Sequence, residues 1–485
     1  MEYASWIAAG VLATDLLIRV GLSVRVVMRR RPVGVSLAWL SIVLIFPFAG
    51  AVIYLMIGEL RLGNRRAQWA AVIHKPYEEW LGDLRNRSDV DWSVLGAECE
   101  PLARLTEAAV GIPALPGNEL ELIADTNDAF RAVIADIDRA ERTCHLEFYI
   151  WNVGGLADEV VEALVRARQR GVICRVLVDS VGSREFLQSE VAERLRQEGV
   201  AVGEALPGGL VRMLFVRFDL RMHRKIVVID GEVAYTGSLN MVDPRFFKQD
   251  AGVGQWIDAM VRVRGPAVEG LAITFLEDWA LETGESVEQL RRTGGVHVIS
   301  ELGPSAIQVV PSGPAMRNEA IQQILLMAIY AARRELVLTT PYFVPDETLL
   351  TALVSAANRG VDVTVVVPAK VDSLLVRLAS QAHKVDLLEA GVRVALFDGG
   401  LLHTKSVTVD REFSLFGSLN LDPRSLHLNF EITLSVYDGR FTSELRQLQE
   451  SYLQQSELMD LAAWESRSTM ARFTENAARL LGPLL

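Results

Sequence analysis

The apolar pattern begins at the N-terminus, where residues 35–57 run 23 positions without a charged side chain. That is long enough to span a bilayer with some tilt. Pro47 inside the run is tolerable in a membrane helix, where neighbouring groups satisfy the backbone it frees. An earlier run, 4–24, contains Asp15 and Arg19, which are four apart and can pair on one helix face. The pattern predicts membrane helices at about 4–24 and 35–57, a transmembrane hairpin within residues 1–65. A signal peptide competes for the first run. No small-residue cleavage site follows it, however, and Arg25 and Arg29 to Arg31 come after the apolar run rather than before.

Residues 66–118 form a proline-punctuated connector with no clear period. Its Trp69, Trp80 and Trp92 suit either a membrane interface or packing beneath the following domain. From residue 119 onward helical and strand periods alternate. A helix is predicted at 126–140, capped by Thr126 or Asn127, then a strand at 144–151, a helix at 156–170 and a strand at 172–178. The order returns as helix 318–333, strand 336–340, helix 347–358 and strand 361–367. Gly199-Val200 and Gly391-Val392 each open a further strand. Such alternation argues an α/β layered fold in each of two halves, 119–290 and 291–485. The first copy holds 22 residues between Val200 and His223 and the second holds 10 between Val392 and His403. This extra length, within 203–222, suits either a substrate entrance or an inert loop. Near the C-terminus, Met470, Phe473, Ala477, Leu480, Leu481 and Leu484 recur at helical spacing. They predict an amphipathic helix, docked on the domain or lying on a membrane surface.

The duplication is sharpest in two polar strings. His223-Arg-Lys225-Ile-Val-Val-Ile-Asp230 and His403-Thr-Lys405-Ser-Val-Thr-Val-Asp410 share H-x-K-x4-D and lie 180 positions apart. Gly237-Ser238-Leu239-Asn240 and Gly417-Ser418-Leu419-Asn420 follow at equal spacing. Residues two apart on a strand point the same way, so each His–Lys pair and each Ser–Asn pair shares a direction. Two imidazoles, two ammonium groups, two hydroxyls and two amides converging on one point make a phosphate cradle. One imidazole can attack phosphorus while the other protonates the departing alcohol, a scheme that uses no metal and no cofactor. A lone His-x-Lys is more often a half-exposed strand edge. Repetition with the same downstream residues favours function. Asp230 and Asp410 are counted with the catalytic set, although Asp230-Gly231 also reads as a hairpin turn, so a structural role is equally open.

The doubled H-x-K-x4-D with G-S-x-N resembles the phospholipase D superfamily over about 119–460. The resemblance implies two α/β/α sandwich repeats forming one pseudo-twofold catalytic unit. It further implies His223 as the nucleophile that forms a phosphohistidine and His403 as general acid, then base. A carboxylate downstream in each copy would orient a histidine, with Glu431 the candidate in the second copy and Asp258 in the first. Glu147-Phe-Tyr-Ile-Trp151, Ser312-Gly-Pro314, Thr340-Pro-Tyr-Phe-Val-Pro-Asp-Glu347, Arg31-Pro32 and the ending Pro483-Leu-Leu485 resemble bacterial cardiolipin synthases of this type. Expected from that resemblance are two phosphatidylglycerols as substrates and cardiolipin plus glycerol as products. A multi-pass protein of the inner (plasma) membrane is also expected, with a homo-oligomer possible.

Charge adjusts this picture modestly. With 49 Lys and Arg against 61 Asp and Glu, the net charge is −12. No broad basic surface is written in the chain, which counts against nucleic acid as a partner. Three cysteines without a disulfide framework favour a catalytic domain on the cytoplasmic side, although arginines on both flanks of the second apolar run leave orientation open. A membrane-bound hydrolase using water would need the same residues, a nuclease would want a basic groove, and a non-enzymatic scaffold would not retain every polar motif position.

Overall fold

A computed structural model describes residues 2–29, 33–46, 48–59, 80–208, 217, 219–314 and 319–479. The chain divides into two compact units, 1–68 with 208–220, and 69–207 with 221–485.

In the first unit the earlier apolar run is one long helix, Glu2–Met28. Its Trp6–Met28 portion is, among the described residues, the one helix long and apolar enough to cross a membrane. Asp15 and Arg19 pair on its face at 2.7 Å, as their spacing predicts. The span predicted at 35–57 is instead broken into Val33–Ile45, Ala49–Ile53 and a π-helical turn, Tyr54–Gly58. The break falls between Ile45 and Ala49. Val26, Trp39, Val43 and Tyr54 form the core of this unit. Arg25 clasps Glu59 through two hydrogen bonds of 2.6 and 2.8 Å, and the Tyr54 hydroxyl donates to the same carboxylate at 2.9 Å.

The second unit is built on a sheet that replays one strand order twice. In the first half the order is Leu115–Ile123, Met260–Arg264, Val233–Gly237, Lys225–Ile229, Thr143–Phe148, Ile173–Asp179 and Ala201–Ala205. The second half runs Ser305–Ser312, Asn429–Tyr437, Phe413–Gly417, Ser406–Val409, Glu335–Thr339, Asp362–Pro368 and Arg393–Phe397, with Ser456–Leu458 added at its edge. The halves join where Leu115–Ile123 and Ser305–Ser312 run antiparallel, Leu115 opposite Ile307. The sheet thus begins within the connector, four positions before residue 119.

Helices cover both faces, which explains the composition of the central strands. Val227 and Ile229 enter one apolar cluster while Ile226 and Val228 enter another, shared with helix Ala267–Thr283. Beyond Lys225 the strand is therefore apolar, Ile226 to Ile229, as a stretch buried on both faces must be. Full burial of each such side chain stabilises by roughly 1.5–3 kcal/mol. Its counterpart Ser406–Val409 alternates, because its second face meets a polar helix: Thr408 donates to Gln449 Oε1 at 2.7 Å. Helix Thr126–Arg139 starts one residue earlier than its predicted caps allow. Asp125 is the cap, accepting from the Asp128 amide at 3.0 Å. In the connector, Cys99–Val110 is a helix that buries Cys99, Leu102 and Ala103, and Trp92 packs edge-on against Tyr437 beneath the sheet. Trp69 and the stretch 209–216, part of the longer loop of the first copy, lie outside the described residues.

The C-terminal helix, Thr469–Arg479, docks on helix Leu374–Glu389 with its predicted face reversed. Ala478 and Glu475 are buried, Glu475 bonded to Arg467 at 2.7 Å, whereas Met470 and Phe473 are exposed. Leu480, Leu481 and Leu484 lie outside the described residues.

Candidate active site

Two short parallel strand pairs cross between the halves and decide the geometry. Arg221–Met222, leading into His223, pairs with Asn429–Phe430, leading into Glu431. Leu401–Leu402, leading into His403, pairs with Trp256–Ile257, leading into Asp258. The His223 amide donates to Phe430 O and the His403 amide to Ile257 O, both at 2.8 Å. Each histidine is thereby set beside the carboxylate of the opposite half. His223 Nδ1 lies 2.8 Å from Glu431 Oε2, and His403 Nδ1 lies 2.6 Å from Asp258 Oδ1. An ionised carboxylate only accepts, so Nδ1 carries the proton and Nε2 is left with a lone pair for chemistry. Close backbone approach makes this crossing possible. A Cβ on Gly400 would stand 2.4 Å from Gln255 O, and one on Gly254 would stand 3.0 Å from Gly400 Cα.

The glycine and serine of each G-S-x-N string have a shared structural task. A Cβ on Gly237 would lie 2.4 Å from Ala259 O, and on Gly417 2.2 Å from Ile432 O. With hydrogen there instead, the two strands close up. Ser238 Oγ then donates to Asp258 Oδ1 at 2.6 Å and Ser418 Oγ to Glu431 Oε2 at 2.5 Å. Each serine oxygen also accepts a backbone amide, from Ala259 and Ile432 respectively. Each carboxylate is thus fixed by a serine of its own half and serves a histidine of the other.

Burial and charge set the protonation states. Burial pushes both imidazoles down to about 4, against the upward pull of their carboxylates. Burial alone would raise Asp258, but His403, Lys405 and Ser238 outweigh it and hold the carboxyl at about 2. Glu431 is likewise lowered: His223 and Lys225 overcome its burial. Burial lowers Lys225 to about 8 and Lys405 well below its ordinary value, while Glu431 and Asp258 pull both upward. Lys405 acts on His223, and Lys225 acts on His403. The charges of both halves therefore fall within one site. Lys225 Nζ donates to His223 O at 2.6 Å and Lys405 Nζ to His403 O at 2.5 Å, leaving two N–H groups on each.

A family model described as "Cardiolipin synthase, PLD-like domain" matches residues 133–261 and again 325–453, and "Phospholipase_D-nuclease N-terminal" matches 18–59. "Cardiolipin synthase A" of Yersinia pseudotuberculosis serotype O:1b (strain IP 31758) is 46% identical over 465 residues, 96% of either chain. The chain belongs to the cardiolipin synthase family. "Cardiolipin synthase A" of Yersinia pestis matches to the same extent. The fold is shared with phosphatidylserine synthase of Haemophilus influenzae Rd KW20, at a TM-score of 0.60 and 15% identity, covering 80% of this chain and 99% of that one. As a member of the cardiolipin synthase family the chain is a phosphatidyltransferase, and it is membrane-associated.

Against the residues expected from sequence, the site gathers His223, Lys225, Asp258, His403, Lys405 and Glu431. Asp230 and Asp410 stand apart from them. The Asp230 carboxylate accepts from the amides of Glu141, Arg142 and Thr143 at 2.9, 2.7 and 2.8 Å. Asp410 does the same for Arg333, Arg334 and Glu335 at 2.9, 2.8 and 2.8 Å. Both take left-handed backbone, φ 54 and 52. They tie a turn to the start of the neighbouring strand, so their place among the catalytic residues is corrected to a structural one. Ser238 and Ser418, expected at the phosphate, are committed to the carboxylates. Asn240 accepts from the Ile150 amide at 3.1 Å, and its amide nitrogen has no partner among the described residues, as the Asn420 amide oxygen has none. These amides are the members of the pair free to meet a ligand.

Two aromatic residues escaped the sequence reading. Tyr149 packs on His223 at 4.8 Å between ring centroids, and Trp256 on His403 at 4.3 Å. Tyr149 lies within the quoted string 147–151 and Trp256 stands two residues before Asp258, yet neither has a counterpart of its kind in the other copy. Only a comparison of the two copies position by position would have singled them out.

Proposed function

We propose that the chain transfers a phosphatidyl group between two phosphatidylglycerols, giving cardiolipin and glycerol through a phosphohistidine. The observation that carries this is the pair of crossed histidine–carboxylate dyads, each presenting Nε2 to one site. In this reading Nε2 of His223 attacks phosphorus while His403 gives its proton to the departing glycerol oxygen. Both imidazoles are neutral at rest. The negative phosphodiester offsets part of their burial penalty and makes a protonated His403 accessible. Lys225 and Lys405 balance the charge that gathers on the phosphoryl oxygens, and the unpartnered amide nitrogen of Asn240 can donate to them. In the second half, His403 takes the proton of an acceptor hydroxyl, that oxygen bonds to phosphorus, and the P–N bond electrons return to His223.

One phosphodiester is exchanged for another, so no nucleotide is consumed. The N-terminal helices anchor the enzyme in the inner membrane with the catalytic unit on the cytoplasmic side. They hold it where both lipids are concentrated. The net charge of −12 counts against a nucleic-acid polyanion as substrate.

Product analysis tests the reading. Purified enzyme in detergent–phosphatidylglycerol micelles should yield cardiolipin and glycerol in equal amounts. Phosphatidic acid with no cardiolipin would make water the acceptor and overturn it.

A further inference from the structure

The two histidines do not have equivalent surroundings. The loop from Ser238 to Asp258 spans 20 positions and that from Ser418 to Glu431 spans 13. The longer loop carries Lys248, a non-glycine residue held in left-handed backbone at φ 48. Lys248 Nζ lies 3.0 Å from Asp372 Oδ2, and the Tyr342 hydroxyl donates to Asp372 Oδ1 at 2.7 Å. Lys248 comes from the first half, Tyr342 and Asp372 from the second. The ammonium sits 5.6 Å from the Trp256 ring, which packs on His403. Aligned through the strands that receive Asp230 and Asp410, Tyr342 matches Ile150. Aligned through the next strands, Asp372 matches Ser183, whose oxygen is taken by the Trp151 amide. Among the described residues, no lysine–aspartate–tyrosine trio bonded in this way stands beside His223.

Resting on the transfer reading above, we propose that Asp372, Tyr342 and Lys248 form the acceptor site for an anionic lipid bearing a glycerol headgroup. A vicinal diol presents two hydroxyls. While His403 takes the proton of one, the Asp372 carboxylate accepts from its neighbour and the Tyr342 phenol holds that carboxylate in place. Lys248 is half-exposed and has two N–H groups to spare for the acceptor's own phosphodiester. Water can satisfy none of these contacts as a set. The trio thus favours a lipid alcohol over water in the step that breaks the P–N bond to His223 and forms the new P–O bond.

The test is the ratio of cardiolipin to phosphatidic acid formed from phosphatidylglycerol micelles by full-length Asp372→Asn, Tyr342→Phe, Lys248→Ala and Lys248→Arg. Expected is a ratio lowered about tenfold or more in Asp372→Asn and ~3-fold in Tyr342→Phe and Lys248→Ala, on the scale of one lost polar contact. Lys248→Arg should keep the wild-type ratio. A structural role would lower both products together, so an unchanged ratio in Tyr342→Phe and Lys248→Ala overturns the proposal, whatever the yield of Asp372→Asn. Failure of the transfer reading looks different: wild-type enzyme itself would form no cardiolipin.

Discussion

The imidazole of His223 is held at 2.8 Å by Glu431, a carboxylate 208 residues further along the chain and in the opposite half. Removing its charge while keeping its shape should misorient Nε2 and leave the wrong ring nitrogen protonated. Glu431→Gln and Asp258→Asn are each expected to lower turnover by on the order of 10²–10⁴-fold. Steady-state cardiolipin formation at saturating lipid measures this. Activity within a few-fold of wild type would mean that the crossed carboxylates do not set the tautomer.

The nucleophile can be separated from the acid. With a lipid phosphodiester whose leaving group needs no protonation, His403→Ala should trap a phosphatidyl group on the protein at His223, and His223→Ala should trap none. Labelled lipid and mass analysis of peptides report the site. Label on position 403 in the His223→Ala enzyme would reverse the assigned roles.

Lys225→Ala and Lys405→Ala should each cost about 100-fold or more in turnover, on the scale of a lost transition-state donor. Near-normal rates would remove the lysines from the phosphoryl group.

Asp230→Asn and Asp410→Asn should act on stability. Each carboxylate accepts three backbone amides, and charged hydrogen bonds of this kind contribute about 1.5–3 kcal/mol. A lower apparent Tm with kcat within a few-fold of wild type is expected. Unchanged Tm with abolished turnover would return them to the chemistry.

Acid should loosen the site. Both histidines ordinarily titrate near 6.5 and are lowered to about 4 here. Between those values the unfolded chain binds protons that the native site refuses, so stability falls as pH falls through 6.5 toward 4. Apparent Tm against pH should slope downward there, and less steeply in His223→Ala. A flat profile over that window would contradict the neutral, buried imidazoles.

Much of this was legible in the sequence, for definite reasons. Strand period placed His–Lys on one side, and duplication marked the histidines and lysines that meet in one site. The partnership between halves was not legible. Glu431 and Asp258 stand downstream of the histidine of their own copy, and only the pairing of 221–222 with 429–430, and of 401–402 with 256–257, crosses them over. Ser238 and Ser418 looked like phosphate ligands because residue type does not tell whether a hydroxyl faces the substrate or the group that steers a histidine. The apolar run 35–57 counted as one span because a tally of uncharged residues does not register the break between Ile45 and Ala49.

The crossing also bears on ancestry. If each dyad takes one member from either half, a single repeat contains a complete set of groups but no working pair. Two copies facing each other across a twofold axis would have supplied both pairs at once. Within one chain the two halves are free to differ, and the longer loop that carries Lys248 is one such difference.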